Sequence, residues 1–211
     1  MIKSSDEKSK KSCIIIGNGD FNGLHPDYTA DYVIAADTLQ IKKADLIVGD
    51  FDSIDSREVP PDIETVQVSA EKDFSDLELA VNEAIKRGYD CLYIYGALGG
   101  RFDHSLASLA VLRRAVESGL TAYLIGVNEI VTAVVCLCGQ GAVTLPIRDS
   151  GYVSVFPVNG DASGVTITGL KYSLDNADLS QNCTVGLSNE FVGEEAVVTV
   201  KDGMLLVLWC V

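Results

Sequence analysis

Basic residues are scarce in this chain. Lys and Arg number 16 against 30 Asp and Glu, which leaves a formal net charge of −14 over 211 residues. Binding to a phosphate backbone depends on clustered cations, so this balance argues against a nucleic-acid partner. An anionic substrate would have to be held by a metal ion or by a few well-placed basic groups. Long apolar runs are missing too. None reaches the roughly 18 residues needed to cross a bilayer, and the opening MIKSSDEKSKKS lacks the apolar stretch of a secretory signal. Residues 1–12 therefore read as a polar tail on a cytoplasmic chain without a membrane partner.

Histidine is limited to His25 and His104, so no Ser–His–Asp arrangement can be argued. The pattern G-x-x-x-x-G-K-[ST] is absent, which excludes a Walker-type nucleotide site. The six cysteines form no Cys-x-x-Cys, and Cys136-x-Cys138 lies in an alternating apolar stretch. They read as buried thiols of a reducing compartment rather than as a zinc site or disulfide framework.

What is present falls into two rhythms. Up to residue 127, short apolar runs alternate with helical stretches. The runs are Cys13–Ile16, Val33–Ala36, Leu46–Val48, Thr65–Val68, Cys91–Tyr95 and Ala122–Ile125. Ser75 and Glu78 have capping-box spacing at the start of a helix predicted over Ser75–Arg87, and Gly88 ends it. A second helix is predicted from Ser105 to Ser118, with Leu106, Leu109, Leu112 and Val116 facing inward. Such alternation implies a Rossmann-like α/β domain over 13–127, its mainly parallel sheet covered by helices on both faces. From residue 128 to 211 the helical period disappears. Strands are expected at Ile130–Cys138, Ala142–Leu145, Tyr152–Pro157, Val165–Ile167 and Lys171–Leu174, and a hairpin turning at Asp202-Gly203 joins Ala196–Val200 to Met204–Trp209. This second half reads as an antiparallel β-sandwich, with Trp209 in its core.

Three segments carry chemistry. In Leu46-Ile47-Val48-Gly49-Asp50-Phe51-Asp52-Ser53, an apolar strand ends in two carboxylates two positions apart, which face the same way on extended backbone. Held that close they repel unless a cation sits between them, and magnesium takes such oxygen ligands alongside substrate phosphates. The bland alternative is a solvated turn. Lys72-Asp73-Phe74-Ser75-Asp76 opens the first helix, where acids are favoured by the dipole alone. Beside the first segment it can supply a third carboxylate, Asp76, and the cation Lys72. In Gly96-Ala97-Leu98-Gly99-Gly100-Arg101-Phe102-Asp103-His104, glycines let backbone N–H groups approach an anion, and Arg101 offers a planar fork for phosphate. Asp103 can cap the helix, orient Arg101 or bind a nucleotide; His104 is as readily a structural donor as a catalyst.

In this order and spacing, GDFDS, KDFSD and GALGGRFDH resemble the thiamine pyrophosphokinase family, with Ser75 where Thr is common. Gly169-Leu170-Lys171-Tyr172, Leu174-Asp175-Asn176-Ala177 and Leu187-Ser188-Asn189-Glu190-Phe191 continue the likeness through the second half. Asp37-Thr38-Leu39-Gln40 departs from it, since a Gly-rich continuation is expected after the Asp. The resemblance implies transfer of the pyrophosphoryl group of ATP to the hydroxyethyl oxygen of thiamine, giving thiamine diphosphate and AMP, by a homodimer with active sites between subunits. Carried over, Asp50, Asp52 and Asp76 would hold Mg2+ and help activate the hydroxyl. Arg101 with Gly99 and Gly100 would hold phosphates, and Ser53, Lys72, Asp103 and His104 would complete the ATP site. Ser188 and Asn189 would lie against thiamine, with Tyr172 available to stack.

Two rival readings have their own signals. Gly17-Asn18-Gly19 after the first strand, with Asp37 about 20 residues later, suggests a dinucleotide-binding oxidoreductase. However, the third glycine falls late, at Gly23, and His25-Pro26 interrupts the helix that fold requires. A non-catalytic thiamine-binding protein is the other, and the intact carboxylates argue against it.

Overall fold

The computed structural model describes residues 10–25, 28–39, 43–51, 54, 59–69, 74–136 and 140–210. Gln40, Asp52, Ser53, Lys72 and Cys138 lie outside them. The chain divides into two compact units, Lys8–Val127 and Asn128–Val211.

The first unit runs β1 (Ser12–Ile16), β2 (Tyr32–Ala36), β3 (Leu46–Gly49), β4 (Glu64–Gln67), α1 (Asp76–Lys86), β5 (Cys91–Tyr95), α2 (Phe102–Glu117) and β6 (Thr121–Ile125). Its strands pair in parallel in the order β4-β3-β2-β1-β5-β6. The central strands are apolar on both sides because both faces are covered: Ile15, Ile16, Ile34, Ile47, Leu92, Ile94 and Leu124 are all essentially inaccessible. Each such side chain contributes about 1.5–3 kcal/mol of burial.

α1 packs over β1, β2 and β3, α2 packs over β6, and the two helices touch each other. Ser75 caps α1, its hydroxyl accepting from the Glu78 N–H at 3.2 Å. Glu78 does not complete the reciprocal half of a capping box; its carboxylate is taken by Arg114 of α2, which also donates to Asn82 at 2.6 Å. α2 begins three residues earlier than its apolar period suggests. Its buried face is Ser108, Val111, Leu112, Ala115 and Val116, so Leu106 is exposed and Leu109 only partly covered.

Aromatic side chains of β5 and β6 are covered by an irregular segment. Tyr28 packs on Tyr93 and Tyr123, and Phe21 meets Tyr95 edge-on with ring centres 5.9 Å apart. Among the described residues no helix joins β1 to β2. Gly17, Gly19, Gly23 and Pro26 make that stretch a poor helix former.

The second unit contains β7 (Glu129–Val135), β8 (Gly141–Leu145), β9 (Tyr152–Thr168), β10 (Leu174–Leu179), β11 (Asn189–Glu190), β12 (Ala196–Val200) and β13 (Asp202–Cys210). Every described pairing is antiparallel. The two strands expected at Tyr152–Pro157 and Val165–Ile167 are one. Asn159 and Gly160, with φ of 65° and 123°, bend β9 where a turn would be read from sequence. Its first half joins β13 and β11, its second half β12 and β10, so a single strand serves both layers of the sandwich.

The expected hairpin is not formed. Among the described residues β12 pairs with β8 and β9, and β13 with β7 and β9, so the chain crosses between layers at Lys201. Alternation in both strands marks a buried face but does not name the partner. The strand expected at Lys171–Leu174 likewise falls later, at β10, whose pairing with β9 shifts register twice. Trp209 is in the core as expected.

Cys13, Cys91, Cys136, Cys183 and Cys210 are thiols rather than disulfides. Burial, with the Asp45 charge adding to it, pushes the Cys13 thiol up to about 12. At pH 8 an alkylating reagent should label exposed Cys183 and Cys210 and leave buried Cys13 and Cys91 unmodified until denaturant is added. Peptide mapping by mass spectrometry reads the difference.

Candidate active site

β1 is the point from which the chain adds β2, β3 and β4 on one side and β5 and β6 on the other. Open parallel sheets bind ligands outside the carboxyl ends of strands at such a reversal. A cleft of about 550 Å³ lies there, lined by Gly17–Asp20 after β1, Ala36-Asp37 at the end of β2, the start of α1, and Gly96, Ala97 and Gly99–Arg101 with the first turns of α2.

The loops after β1 and β5 are pressed backbone to backbone. The Gly17 N–H donates to the Tyr95 carbonyl and the Gly19 N–H to the Gly96 carbonyl, both at 2.8 Å. A Cβ at Gly17 or Gly19 would lie 2.7 or 2.6 Å from the Gly96 oxygen, and one at Gly96 would lie 2.5 Å from the Gly17 oxygen. These glycines are therefore needed for loop-to-loop contact, and that no helix joins β1 to β2 among the described residues adds to the case against a dinucleotide fingerprint.

Two helices begin at the cleft. Their N-termini present backbone N–H groups and a favourable dipole, a standard arrangement for anions. Asp76 is in the first turn of α1, with Ser75 as its cap. Arg101 is the N-cap residue of α2, and its guanidinium grips Asp103 with both arms, at 2.6 and 3.1 Å. Asp103 also accepts from the His104 N–H at 3.0 Å. Of the roles open to Asp103, orienting Arg101 is the one the geometry makes.

The Arg101 hydrogen bonds hold the Asp103 carboxyl below its ordinary value of 3.8. The folded pKa is depressed, so the pair's contribution is present above about pH 4 and lost as pH falls through the lower folded value. Both groups are exposed and the contribution is small. Carbon NMR titration should show the Asp103 midpoint rising in Arg101→Ala.

Of the residues singled out from sequence, Asp76, Gly99, Gly100, Arg101 and His104 line the cleft together. Asp103 stands outside its lining. Asp50 leaves β3 half-buried, its carbonyl accepting from the Gln67 amide at 3.4 Å, and it too is outside the lining. No group of three metal-ligating side chains occurs among the described residues, which exclude Asp52.

In the second unit Asn189 is buried. Its amide oxygen accepts from the Tyr172 and Glu190 N–H groups, both at 2.9 Å, and its nitrogen donates to the Tyr172 carbonyl at 2.6 Å. Asn189 thus braces the exposed Tyr172, while Ser188 lies exposed beside Ser154.

Sequence reasoning missed Asn18, Asp20 and Asp37 as cleft residues. Asp37 had the same signal as Asp50, an acid directly after an apolar strand, but entered only the rival reading and the loop that departs from the family pattern. With Asp20, Asp37 and Asp76 lining it, the cleft offers oxygen donors from three segments. Carboxylate oxygens are the donor type that a hard divalent cation such as magnesium takes, although these three are not gathered into one ligand group.

A strand-end cleft joining acidic side chains, an arginine and two helix N-termini defines a phosphate-handling transferase of α/β class. The chain matches the family model described as thiamin pyrophosphokinase, catalytic domain, over residues 8–124, and that of the vitamin B1 binding domain over 143–205. It is 28% identical to the thiamine pyrophosphokinase of Bacillus subtilis over 90% of this chain and 91% of that one. The crystal structure of the Bacillus subtilis enzyme superposes with a TM-score of 0.80, covering 95% of this chain and 99% of that one. That of an Enterococcus faecalis family protein, 27% identical, gives 0.79 with the same coverage. The chain belongs to the thiamine pyrophosphokinase family.

Proposed function

We infer that this cleft holds the polyphosphate of ATP while its pyrophosphoryl group passes to thiamine. As a family member the chain is an enzyme catalysing Mg-ATP-dependent pyrophosphoryl transfer to thiamine. The observation that carries the placement is the convergence of Asp76 and Arg101 on one cleft at the switch point of the sheet.

In the reaction the hydroxyethyl oxygen of thiamine bonds to the β-phosphorus, the bridge to the α-phosphate breaks, and the hydroxyl proton is lost. Little covalent chemistry falls to the protein, so positioning and charge stabilisation dominate. Arg101, braced by Asp103, meets charge gathering on the phosphate oxygens, and the Gly99-Gly100 backbone lets N–H groups approach them. Asp76 would hold magnesium, with Asp50 and Asp52 contributing from the β3 exit. The ion supplies Lewis-acid neutralisation of the polyphosphate. Ser53, Lys72 and His104 are assigned to the nucleotide. Tyr172 and Ser188 face thiamine, and Asn189 acts by bracing Tyr172. The proposed assembly is a homodimer in the cytoplasm with active sites between protomers. Phe102 and Leu106, exposed one turn apart on α2, are the kind of surface a second copy covers.

Protein mixed with ATP, magnesium and thiamine should release thiamine diphosphate and AMP in equal amounts, and chelation should stop both. Hydrolysis of ATP without thiamine diphosphate would overturn the reading. Asp52→Asn should abolish AMP formation while the protein still folds, and near-normal turnover would remove Asp52 from the metal set.

A further inference from the structure

We propose that Asp37 is a positioning residue for the acidic turn leaving β3, holding the backbone that carries Asp50 by accepting a hydrogen bond from beyond it. The inference rests on the magnesium-dependent reading of the cleft. Asp37 is 4% exposed and lines the cleft. Its N–H donates to the Val48 carbonyl at 2.8 Å, and its Oδ1 accepts from the Phe51 N–H at 3.0 Å. Asp50 lies between those two anchors. Gly49 completes the fit, since a Cβ there would stand 2.7 Å from both the Cβ and the Oδ1 of Asp37.

The turn needs such a hold. Phe51 has φ of 61° and Asp37 itself 46°, conformations that side chains of this size rarely adopt unless neighbours impose them. From the β4 side, the Val68 N–H donates to the Gly49 carbonyl at 3.0 Å and the Gln67 amide reaches the Asp50 carbonyl. From the β2 side, the Asp37 carboxylate is the grip, and it alone of these groups also lines the cleft. A ligand displaced by about 1 Å can cost a hundredfold in rate, so holding this backbone is a functional requirement.

The test compares Asp37→Ala, which removes the acceptor, with Asp37→Asn, which keeps an oxygen there without charge. Asp37→Ser, too short to reach Phe51, stands in if Asp37→Ala does not fold. In Asp37→Ala, kcat should fall about 100-fold and half-activating magnesium rise about tenfold, with thiamine KM within about twofold. Exchange of the Phe51 amide hydrogen, read by NMR without substrates, should quicken at least about tenfold. Asp37→Asn should restore most of the Phe51 protection and at least about tenfold of the lost rate. Unchanged Phe51 exchange in Asp37→Ala overturns the proposal. So does Asp37→Asn keeping that protection while being as inactive as Asp37→Ala, because Asp37 would then act by its charge. A wild-type protein making no thiamine diphosphate would refute the underlying reading, while the exchange comparison would still decide whether Asp37 holds the turn.

Discussion

Asp76→Asn should lower thiamine diphosphate formation by at least about 100-fold and leave the protein folded. Asn has nearly the same shape, and Ser75 still caps α1 through the Glu78 N–H. The structural loss includes the attraction between this partly buried first-turn charge and the helix dipole, about 0.3–1 kcal/mol for a surface charge. That shifts the melting temperature by only a few degrees in a chain of this size. The functional loss is of another order. Removing one preorganised charge from a site where charge develops typically costs about 100- to 1,000-fold in rate. Turnover measured across a magnesium titration, beside a thermal melt, separates the two. Near-normal turnover at saturating magnesium would take Asp76 out of the metal-holding set.

Gly96→Ala should destabilise the first unit by about 3 kcal/mol or more and abolish activity with it. The added methyl would lie 2.5 Å from the Gly17 oxygen and 3.0 Å from its carbon, both backbone atoms that cannot rotate away. Gly96 also has φ of 61°, where an L side chain is strained even with room around it. Relief would require parting the loops after β1 and β5, breaking the Gly17–Tyr95 and Gly19–Gly96 hydrogen bonds that join these two loops beside the cleft. Overpacking against fixed backbone and a disfavoured φ act together. Urea denaturation gives the stability change, and an unchanged midpoint would show that the two loops are not in the contact described. A Gly100→Ala variant offers a contrast, because its Cβ meets nothing within 4 Å and only the φ of 59° is at issue.

Much of the first unit was legible because its signals are local. A run such as Leu46-Ile47-Val48 ending in Asp50 reads as a buried strand meeting a polar edge whatever its neighbours are. Ser75 before a helical period reads as a cap because the N–H it satisfies is three residues away. The Arg101–Asp103 pair was also within reach, as one of three roles left open. Reciprocal capping by Glu78 was not decidable, since Arg114, the partner that claims it, is 36 residues further on. Leu106 looked buried because periodicity gives a helix its apolar stripe without saying how far the neighbouring surface extends.

The second unit was less legible, and the reason is strand pairing. Asn159-Gly160 and Asp202-Gly203 are both good turn sequences. In the fold the first bends a continuous strand between layers, and the chain near the second crosses from one layer to the other. Period-two alternation is the same in a hairpin and in two strands that share only a common neighbour. The cleft follows the same logic. Acids at strand ends can be found one strand at a time, but Asp20, Asp37 and Asp76 line a common cavity only because β1 stands between β2 and β5.

The sequence by itself determined the two rhythms, the capped start of α1, the acidic strand ends and the family, because each is written in residues close together along the chain. Only the tertiary structure decided that Gly17 and Gly19 serve the Gly96 loop rather than a dinucleotide, and that Asn189 spends its amide on Tyr172. It alone set Asp37 to grip the exit of β3. Those outcomes depend on contacts between residues 14 or more positions apart, and sheet order and packing, which no local pattern encodes, bring them together.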